Sequence, residues 1–573
     1  VGPDKRTYFG YVLCLELLTI IDISKSNQGS KESSDIFEWL SPSHWESAEQ
    51  LSSHVDCRFE GTLNWLYLIP ELNSWLFDTN TLNVTWITAL PGVGKSTMAA
   101  HLLSTIHSKL STLEQNRYIY LCYFFCKDGE QKLMHAHNIV QTLSYQLAVQ
   151  NQHFLRELNR TWQEENFVVS SAVGIRLLYN RLFHQPLTAS SVNGLNQTVY
   201  CVIDGLDEAR LDVKDGRSPD SEVSVLLKLL GTTPHVRLLV LSRSVPQIGN
   251  TMHTLNSTMK EISATDNEQD IERFVAWKVS QSAKLRDGFG KLDIDPVTHV
   301  CKTANGNFLW VEILLAYLEG SSSMKEFESG LLEIPVEFQD LYSQILKRIV
   351  RSVSTSQERS VIKEVIQMVI ASPRELQIEE LQAAVELILE DQLPDFARTL
   401  KLHCGTFIHI TRGRINVERK HVRVVHETFR EFIISDETQA EGFQVNLPEA
   451  HSTITRVLLR YLCETDFGAQ LTVGKFVQRT PDLACSIEQK FQLLKYASTQ
   501  WSFHLRQSTF DSAEELYSTL EIFLLRGPIL LWIESLAVFQ DLAVLSRTSD
   551  DLLGWVKIHA RRLPTSSARS LES

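Results

Sequence analysis

Two glycines one residue apart run into a lysine and two hydroxyl residues at Gly92-Val-Gly-Lys-Ser-Thr97. These residue types in this order suit polyphosphate chemistry. Gly92 and Gly94 let the backbone curl so that successive N–H groups point into one concavity. Lys95 reaches outer phosphates and the Ser96 hydroxyl ligates Mg²⁺. Pro91, Gly92, Val93, Gly94, Lys95, Ser96 and Thr97 are therefore the candidate nucleotide-binding residues. Without ligand, Lys95 is expected to face solvent. A second cluster closes the run Ile203-Asp-Gly-Leu-Asp-Glu208. Asp204 is placed to hold Mg²⁺ opposite Ser96. Asp207 and Glu208 follow where a carboxylate orients or deprotonates an attacking water, and the residues leave open which of the two is the base. Arg243, after Leu241-Ser242, completes the catalytic set as an arginine at a strand end, suited to sensing a γ-phosphate.

The elements around these residues are legible. Val84 to Thr88 is a β-branched and aromatic run, read as a buried strand that feeds the glycine turn. Met98, Leu102, Leu103, Ile106 and Leu110 then recur at helical spacing, and the helix N-terminus adds partial positive charge beside the turn. The first small position of the turn is Ala89, where a glycine is usual. Further strands are predicted at Arg117–Phe125, at Thr198–Asp204 and at Val236–Leu241, with a last short one at Glu261–Ala264. Their continuous apolar character suits strands covered on both faces. Helices are predicted from Ile139 to Val149 and from Leu155 to Glu164. His135 and His137 are placed in the preceding loop as solvated histidines.

From Ile271 the pattern turns helical, and Gly306-Asn-Phe-Leu-Trp310 opens an apolar helix to Leu318. Pro335 introduces another with Leu341, Tyr342, Ile345 and Leu346 on one face. Val361–Ile370 and Ile378–Leu389 follow, the latter with Glu379 and Glu380 in its first turn. A hairpin is predicted from a strand at Cys404–Thr411, a basic turn at Arg412-Gly-Arg414 and a strand to Val425. Three helices followed by a hairpin outline a winged helix, and His426 starts the helix after the wing. From Pro448 onward the chain reads as helical. The predicted fold is an α/β P-loop NTPase, a parallel sheet flanked by helices, followed by an α-helical domain, a winged helix and a C-terminal helical domain. The expected boundaries are a lead-in at 1–57, the nucleotide-binding domain at 58–265, and a helical domain at 266–335. The winged helix follows at 336–440, a second helical domain at 441–563, and a disordered tail at 564–573.

Bulk composition narrows the partners. A net charge of −14 argues against a nucleic-acid surface, which needs clustered Lys and Arg. The nine cysteines lack paired or metal-ligand spacing and read as reduced thiols of a cytoplasmic protein. No apolar run is long and clean enough to span a membrane.

The chain resembles fungal NACHT-domain STAND NTPases, a class of nucleotide-operated signalling switches. The resemblance rests on Ala89–Thr97, on Ile203–Glu208, on Leu241–Arg243 and on Gly306–Trp310. It extends to Val424-Val-His-Glu-Thr-Phe-Arg-Glu-Phe432, to Lys495-Tyr-Ala with Trp501 and His504, and to the lead-in residues Trp39–Pro42 and Gly61–Leu66. It implies that ATP or ADP is held with Mg²⁺ between the nucleotide-binding domain, a helical domain and the winged helix. It also implies that His426 contacts the ADP β-phosphate; on its residues alone, His426 reads as a packed helix-start histidine. The family pattern implies slow hydrolysis, self-association when ATP is bound, and a role in nonself recognition and programmed cell death. Family members carry N-terminal effector domains and C-terminal sensor repeats. This chain shows neither, so it reads as cut at both ends, with its effector and ligand partners unassigned. A scaffold acting through helical protein contacts is the competing reading.

Overall fold

The computed structural model describes residues 36–559, apart from 38, 41–42, 78–82, 113–117, 129, 166–172, 191–196, 212–219, 336, 354, 413–419, 436–441, 465–480, 509–512 and 526–527. The expected basic turn at 412–414 and the tail from 564 lie wholly or mainly outside them. The chain divides into two compact units, Val1–Ile334 and Pro335–Ser573.

In the first unit, helix α1 (His44–Cys57) and a short helix at Pro70–Phe77 lead to strand β1 (Val84–Thr88), helix α2 (Lys95–Thr112) and strand β2 (Ile119–Phe125). Helices α3 (Ala136–Gln150) and α4 (Gln152–Glu165) precede strand β3 (Thr198–Asp204). Helix α5 (Glu222–Thr232), strand β4 (Val236–Ser242), helix α6 (Pro246–Thr254) and strand β5 (Thr258–Glu261) complete the α/β part. The strands form one parallel sheet in the order β2-β3-β4-β1-β5. Alternate residues of each strand point to opposite faces, and both faces are covered. Phe124, Cys201, Ile203, Leu238 and Val240 face one apolar cluster with Val140, Leu143 and Leu226. Tyr123, Phe125, Val202, Leu239 and Leu241 face the other with Met98, Leu102 and Leu103 of α2. The connection from β1 passes over β4 and β3 to reach β2, while α6 returns the chain past β1 to β5. The switch point of the sheet therefore lies between β1 and β4, where open α/β sheets leave a crevice at the strand C-termini.

Two local predictions are corrected here. The last strand is Thr258–Glu261 rather than Glu261–Ala264, because its register is set by pairing to Thr85–Thr88 of β1. Ile262 suggested a strand because it is buried, but it lies one residue past that ladder and only its N–H still reaches Thr88 O, at 2.8 Å. His137 sits inside α3 and His135 immediately before it, their rings stacked at 5.2 Å, rather than both lying in a loop.

A helical layer completes this unit: α7 (Glu268–Gln281), α8 (Ala283–Leu292), α9 (Pro296–Ala304), α10 (Phe308–Glu319) and α11 (Met324–Leu332). Four starts are capped by side chains, at Ser282, Asp295, Asn307 and Ser323, each accepting an orphan N–H of the first turn.

The second unit begins with α12 (Phe338–Ser352), α13 (Ser356–Ala371), a two-residue strand β6 (Leu376–Gln377) and α14 (Ile378–Leu389). Strands β7 (Ile408–Arg412) and β8 (Lys420–Val424) form the wing, and β6 pairs antiparallel with β8 to give the order β6-β8-β7. The first wing strand starts at Ile408, not Cys404; residues Leu400–Cys404 are wound as a π-helical turn, and Phe407 turns inward to stack on Phe429 at 4.2 Å. Helix α15 (Glu427–Ile434) follows the wing. Then come α16 (Leu447–Glu464), α17 (Pro481–Lys490), α18 (Leu494–Gln507), α19 (Ala513–Leu525), α20 (Pro528–Val538) and α21 (Val544–His559), joined through Trp501 packed on Phe523 and Trp532. No described helix is long and apolar enough to cross a membrane.

Buried imidazoles thread this unit. His451 of α16 and His504 of α18 meet at 2.8 Å between their Nδ1 atoms, and Tyr496 OH stands 2.8 Å from His504 Nε2. Burial, aided by the Arg430 charge, holds His451 down at about 4, and burial, aided by His451, holds His504 well below its ordinary range. The unfolded chain takes up protons from pH 6.5 downward, while the folded imidazole of His451 refuses one until about pH 4. Stability is thus complete above pH 6.5 and is lost as pH falls toward 4. A depression of this size is linked to about 3 kcal/mol for His451 alone. Urea unfolding of the second unit should show that slope between pH 6.5 and 4, and His451→Gln should flatten it; an unchanged slope in the variant would contradict the assignment.

Candidate functional site

The glycine turn leaves β1 and enters α2 through two residues with left-handed backbone, Gly92 at φ +78 and Gly94 at φ +100. Lys95 is half-buried rather than solvent-facing. Its ammonium donates to the turn's own carbonyls, Ala89 O at 2.9 Å and Leu90 O at 3.1 Å. Desolvation lowers its pKa, opposed by the nearby Asp207 and Asp204 charges. The lysine is therefore parked on the loop by hydrogen bonds that a phosphate oxygen can replace.

Asp204 ends β3, one strand removed from β1, and is 2% exposed. Ser96 hydrogen-bonds its carboxylate, which brings together the two residues predicted to share a metal. Burial nevertheless pushes Asp204 up to about 6, against the pull of Ser96 and Lys95. Its Oδ1 is buried with no hydrogen-bond partner. Gly205 follows at φ +66, where a Cβ would stand 2.8 Å from Cys126 O, so the chain turns without a side chain there. One turn of 3-10 helix, Leu206–Glu208, then presents the other two carboxylates.

These two carboxylates are held differently. Asp207 accepts the Arg243 N–H at 2.9 Å through Oδ1 and the Arg243 Nε–H at 3.1 Å through Oδ2. It thereby ties the end of β4 to the end of β3, and its side chain is only 6% exposed. Glu208 accepts the Asp128 N–H at 3.2 Å through Oε2, from the loop after β2. Lys95, Ser96, Asp204, Asp207, Glu208 and Arg243 thus converge at the C-terminal ends of the sheet.

His426 belongs to the second unit, immediately before α15. Its Nδ1 accepts the Thr428 N–H at 3.1 Å and so caps the helix, while Tyr342 OH lies 2.9 Å from Thr428 Oγ1. With Nδ1 used as an acceptor, the neutral ring carries its proton on Nε2.

Residues outside the candidate nucleotide-binding and catalytic set surround the loop. Asn307 donates from Nδ2 to Pro91 O at 2.8 Å, and the Leu309 N–H donates to Gly92 O at 3.2 Å. Asn267, fully buried, donates to Gly306 O at 2.7 Å. Asp270 accepts from Leu63 N–H at 2.7 Å and from Trp65 Nε1–H at 2.9 Å, which fixes the lead-in segment. The Gly306–Trp310 run signalled a helix start; its second function, touching the loop, depends on contacts that sequence spacing does not reveal.

A divalent cation fits the donor set. An orphaned carboxylate oxygen beside a hydroxyl suits Mg²⁺, which takes one or two protein oxygens and keeps its waters. Without a cation the ionised Asp204 is a cost. Its folded pKa lies above the ordinary 3.8, so the stability it confers is present at low pH and is lost as pH rises from about 4 to about 6. Asp204→Asn should therefore raise the stability of nucleotide-free, chelator-treated protein at pH 7.5 by about 1–3 kcal/mol in urea unfolding. A loss of stability would show that the charge is already compensated.

Comparisons with known proteins match two segments of the chain to described families. Residues 61–243 match the family described as Nephrocystin 3, N-terminal, and residues 350–446 match the GPI inositol-deacylase winged helix domain. The vegetative incompatibility protein HET-E-1 of Podospora anserina is 20% identical over 505 residues, which is 83% of this chain and 35% of that protein. The chain thus spans about a third of that relative's length. Two solved structures are also similar, Aeropyrum pernix ORC1 in complex with DNA and Aeropyrum pernix ORC2 in ADPNP–ADP complexes. The first has a TM-score of 0.26 at 14% identity, covering 64% of this chain and 89% of that one. The second has a TM-score of 0.27 at 10% identity, covering 68% and 90%. The chain thus carries a domain similar to the Nephrocystin 3 N-terminal family on its parallel sheet, then a winged-helix domain, and it is distantly similar to a fungal vegetative incompatibility protein.

Proposed function

We propose that the chain is an ATP/ADP-operated switch that binds nucleotide with Mg²⁺, hydrolyses ATP slowly and self-associates in its ATP form. The observation that carries this reading is the buried, unpartnered carboxylate oxygen of Asp204 beside Ser96 and Lys95. In this reading the Gly92, Val93 and Gly94 amides cradle phosphates, with Pro91 shaping the loop's entry and Thr97 standing in the first turn of α2. Lys95 exchanges the Ala89 and Leu90 carbonyls for phosphate oxygens. Ser96 and Asp204 hold Mg²⁺, which when bound neutralises phosphate charge. Asp207 is committed to Arg243, so it orients that arginine toward the γ-phosphate. Glu208 is left as the residue that takes a proton from water. His426, with its proton on Nε2, donates to the ADP β-phosphate and stabilises the closed form. The functional parts follow the boundaries 58–265, 266–335, 336–440 and 441–563. A role in fungal nonself recognition, with a protein effector and a triggering ligand, follows from the likeness to HET-E-1 by analogy alone.

Denaturing the purified protein and chromatographing the supernatant should release adenine nucleotide, and calorimetry should show ATP binding that Lys95→Ala abolishes. Equal affinity in that variant would reject the site.

The switch itself is tested by Glu208→Gln, which should keep Mg²⁺-ATP binding and lose about 10²–10⁴ in hydrolysis. It should run as a larger assembly on gel filtration with light scattering when ATP is bound and as a monomer with ADP, since a ligand shifts states only by differential affinity. His426→Leu should speed ADP release in parallel. Monomer with both nucleotides, and an unchanged ADP dissociation rate, would favour a nucleotide-bound scaffold working through its helical surfaces.

A further inference from the structure

The phosphate loop is gripped from outside by the first turn of α10. Asn307 bonds in two directions at once. Its Oδ1 accepts the Trp310 N–H at 3.0 Å and caps α10, while its Nδ2 donates to Pro91 O at 2.8 Å. The next carbonyl of the loop, Gly92 O, takes the Leu309 N–H at 3.2 Å. Two consecutive peptide planes of the loop are therefore anchored to one helix end. In a trans peptide the C=O and N–H point in opposite directions. Anchoring Pro91 O and Gly92 O on α10 therefore aims the Gly92 and Val93 N–H groups away from it, free of that helix and available to an anion.

The packing shows that this approach is built in. A Cβ on Gly92 would stand 2.3 Å from Asn307 Oδ1 and 2.8 Å from Leu309 Cβ, so Gly92 is glycine for the sake of α10 as well as for its φ of +78. The Asn307 turn is itself seated: Gly306, at φ +75, would bring a Cβ within 2.6 Å of Ala264 Cα, and its carbonyl is held by the buried Asn267. A relay of hydrogen bonds thus runs from Asn267 at the start of α7, through Gly306 and Asn307, to the loop.

We propose that Asn307 is a positioning residue for nucleotide, fixing the phosphate loop's amides in the binding orientation and making the cap of α10 depend on the state of the loop. The inference rests on the nucleotide-binding reading above. It follows that loop ordering by ADP and the α10 clamp stabilise one another, because both favour the same peptide orientations.

Asn307→Ser and Asn307→Asp separate the two bonds: each keeps a cap acceptor for Trp310 N–H, while the carboxylate has no proton to donate to Pro91 O and the shorter serine hydroxyl lacks the reach of Nδ2. Titration of the full chain with fluorescently labelled ADP should show affinity about five- to tenfold weaker in both variants, the scale of one lost hydrogen bond. Their thermal unfolding should match wild type. Asn307→Ala should weaken ADP binding to the same extent and also lower the unfolding temperature. Hydrogen exchange supplies a readout that capping alone does not move: ADP should slow exchange of the Leu309 amide in wild type and not in Asn307→Ser. Wild-type ADP affinity in Asn307→Ser, with Lys95→Ala still unable to bind, would overturn this inference alone. No ADP binding by the wild-type chain would overturn the nucleotide reading and this inference with it. Should the variants fail to fold, wild-type exchange decides by itself: a Leu309 amide indifferent to ADP rejects the coupling.

Discussion

Lys95, Asp204, Asp207 and Arg243 share the poorly solvated ends of three parallel strands, where each charge needs a compensating partner. An isolated charge in such a place costs several kcal/mol, and in practice shifts its pKa instead. Asp207 and Arg243 solve the problem by pairing through two bonds. Lys95 solves it by turning onto carbonyls of its own loop. Asp204 does not solve it, and its raised pKa measures what remains. The residual imbalance is a carboxylate without enough positive charge beside it, which is why a cation is proposed there.

The geometry that creates this imbalance comes from the sheet. Only a parallel arrangement puts the C-terminal ends of β1, β3 and β4 on one edge, and only the order with β4 between β1 and β3 lets Arg243 stand between the loop and the acidic turn. Apolar helices on both faces keep water from the strands and make the charges at their ends strongly coupled. The glycines at this edge answer to neighbours as much as to backbone angle. Gly205 clears a carbonyl after β2, and Gly92 clears the α10 turn. The loop that looks like the most local feature of the chain is shaped by a helix more than two hundred residues away in sequence.

Much of the fold is legible in the sequence alone. The strand–glycine–lysine–helix grammar around residues 84–112 is short-range, because the turn, the φ values and the helix start are all encoded within a dozen residues. The same holds for the buried strands β2, β3 and β4, whose unbroken apolar runs announce a sheet covered on both sides. The winged-helix order of three helices and a hairpin was likewise readable from periodicity. Strand edges are less legible: β5 lies three residues earlier than expected and β7 starts four residues later, because burial of Ile262 and Phe407 mimics strand burial when the ladder itself is invisible.

The sequence by itself determined which residues are candidates for phosphate chemistry and which local elements present them, since backbone curvature, helix starts and strand character depend on near neighbours. Tertiary structure alone decided how those residues are used. That Lys95 folds onto its loop, that Asp207 is spent on Arg243 while Glu208 is held from β2, that Asp204 keeps an unpartnered oxygen, and that Asn307 grips the loop are all consequences of register and packing between distant segments. Their physical reason is common: a side chain's protonation and partner choice are set by what is desolvated beside it, and desolvation exists only once the chain has closed on itself.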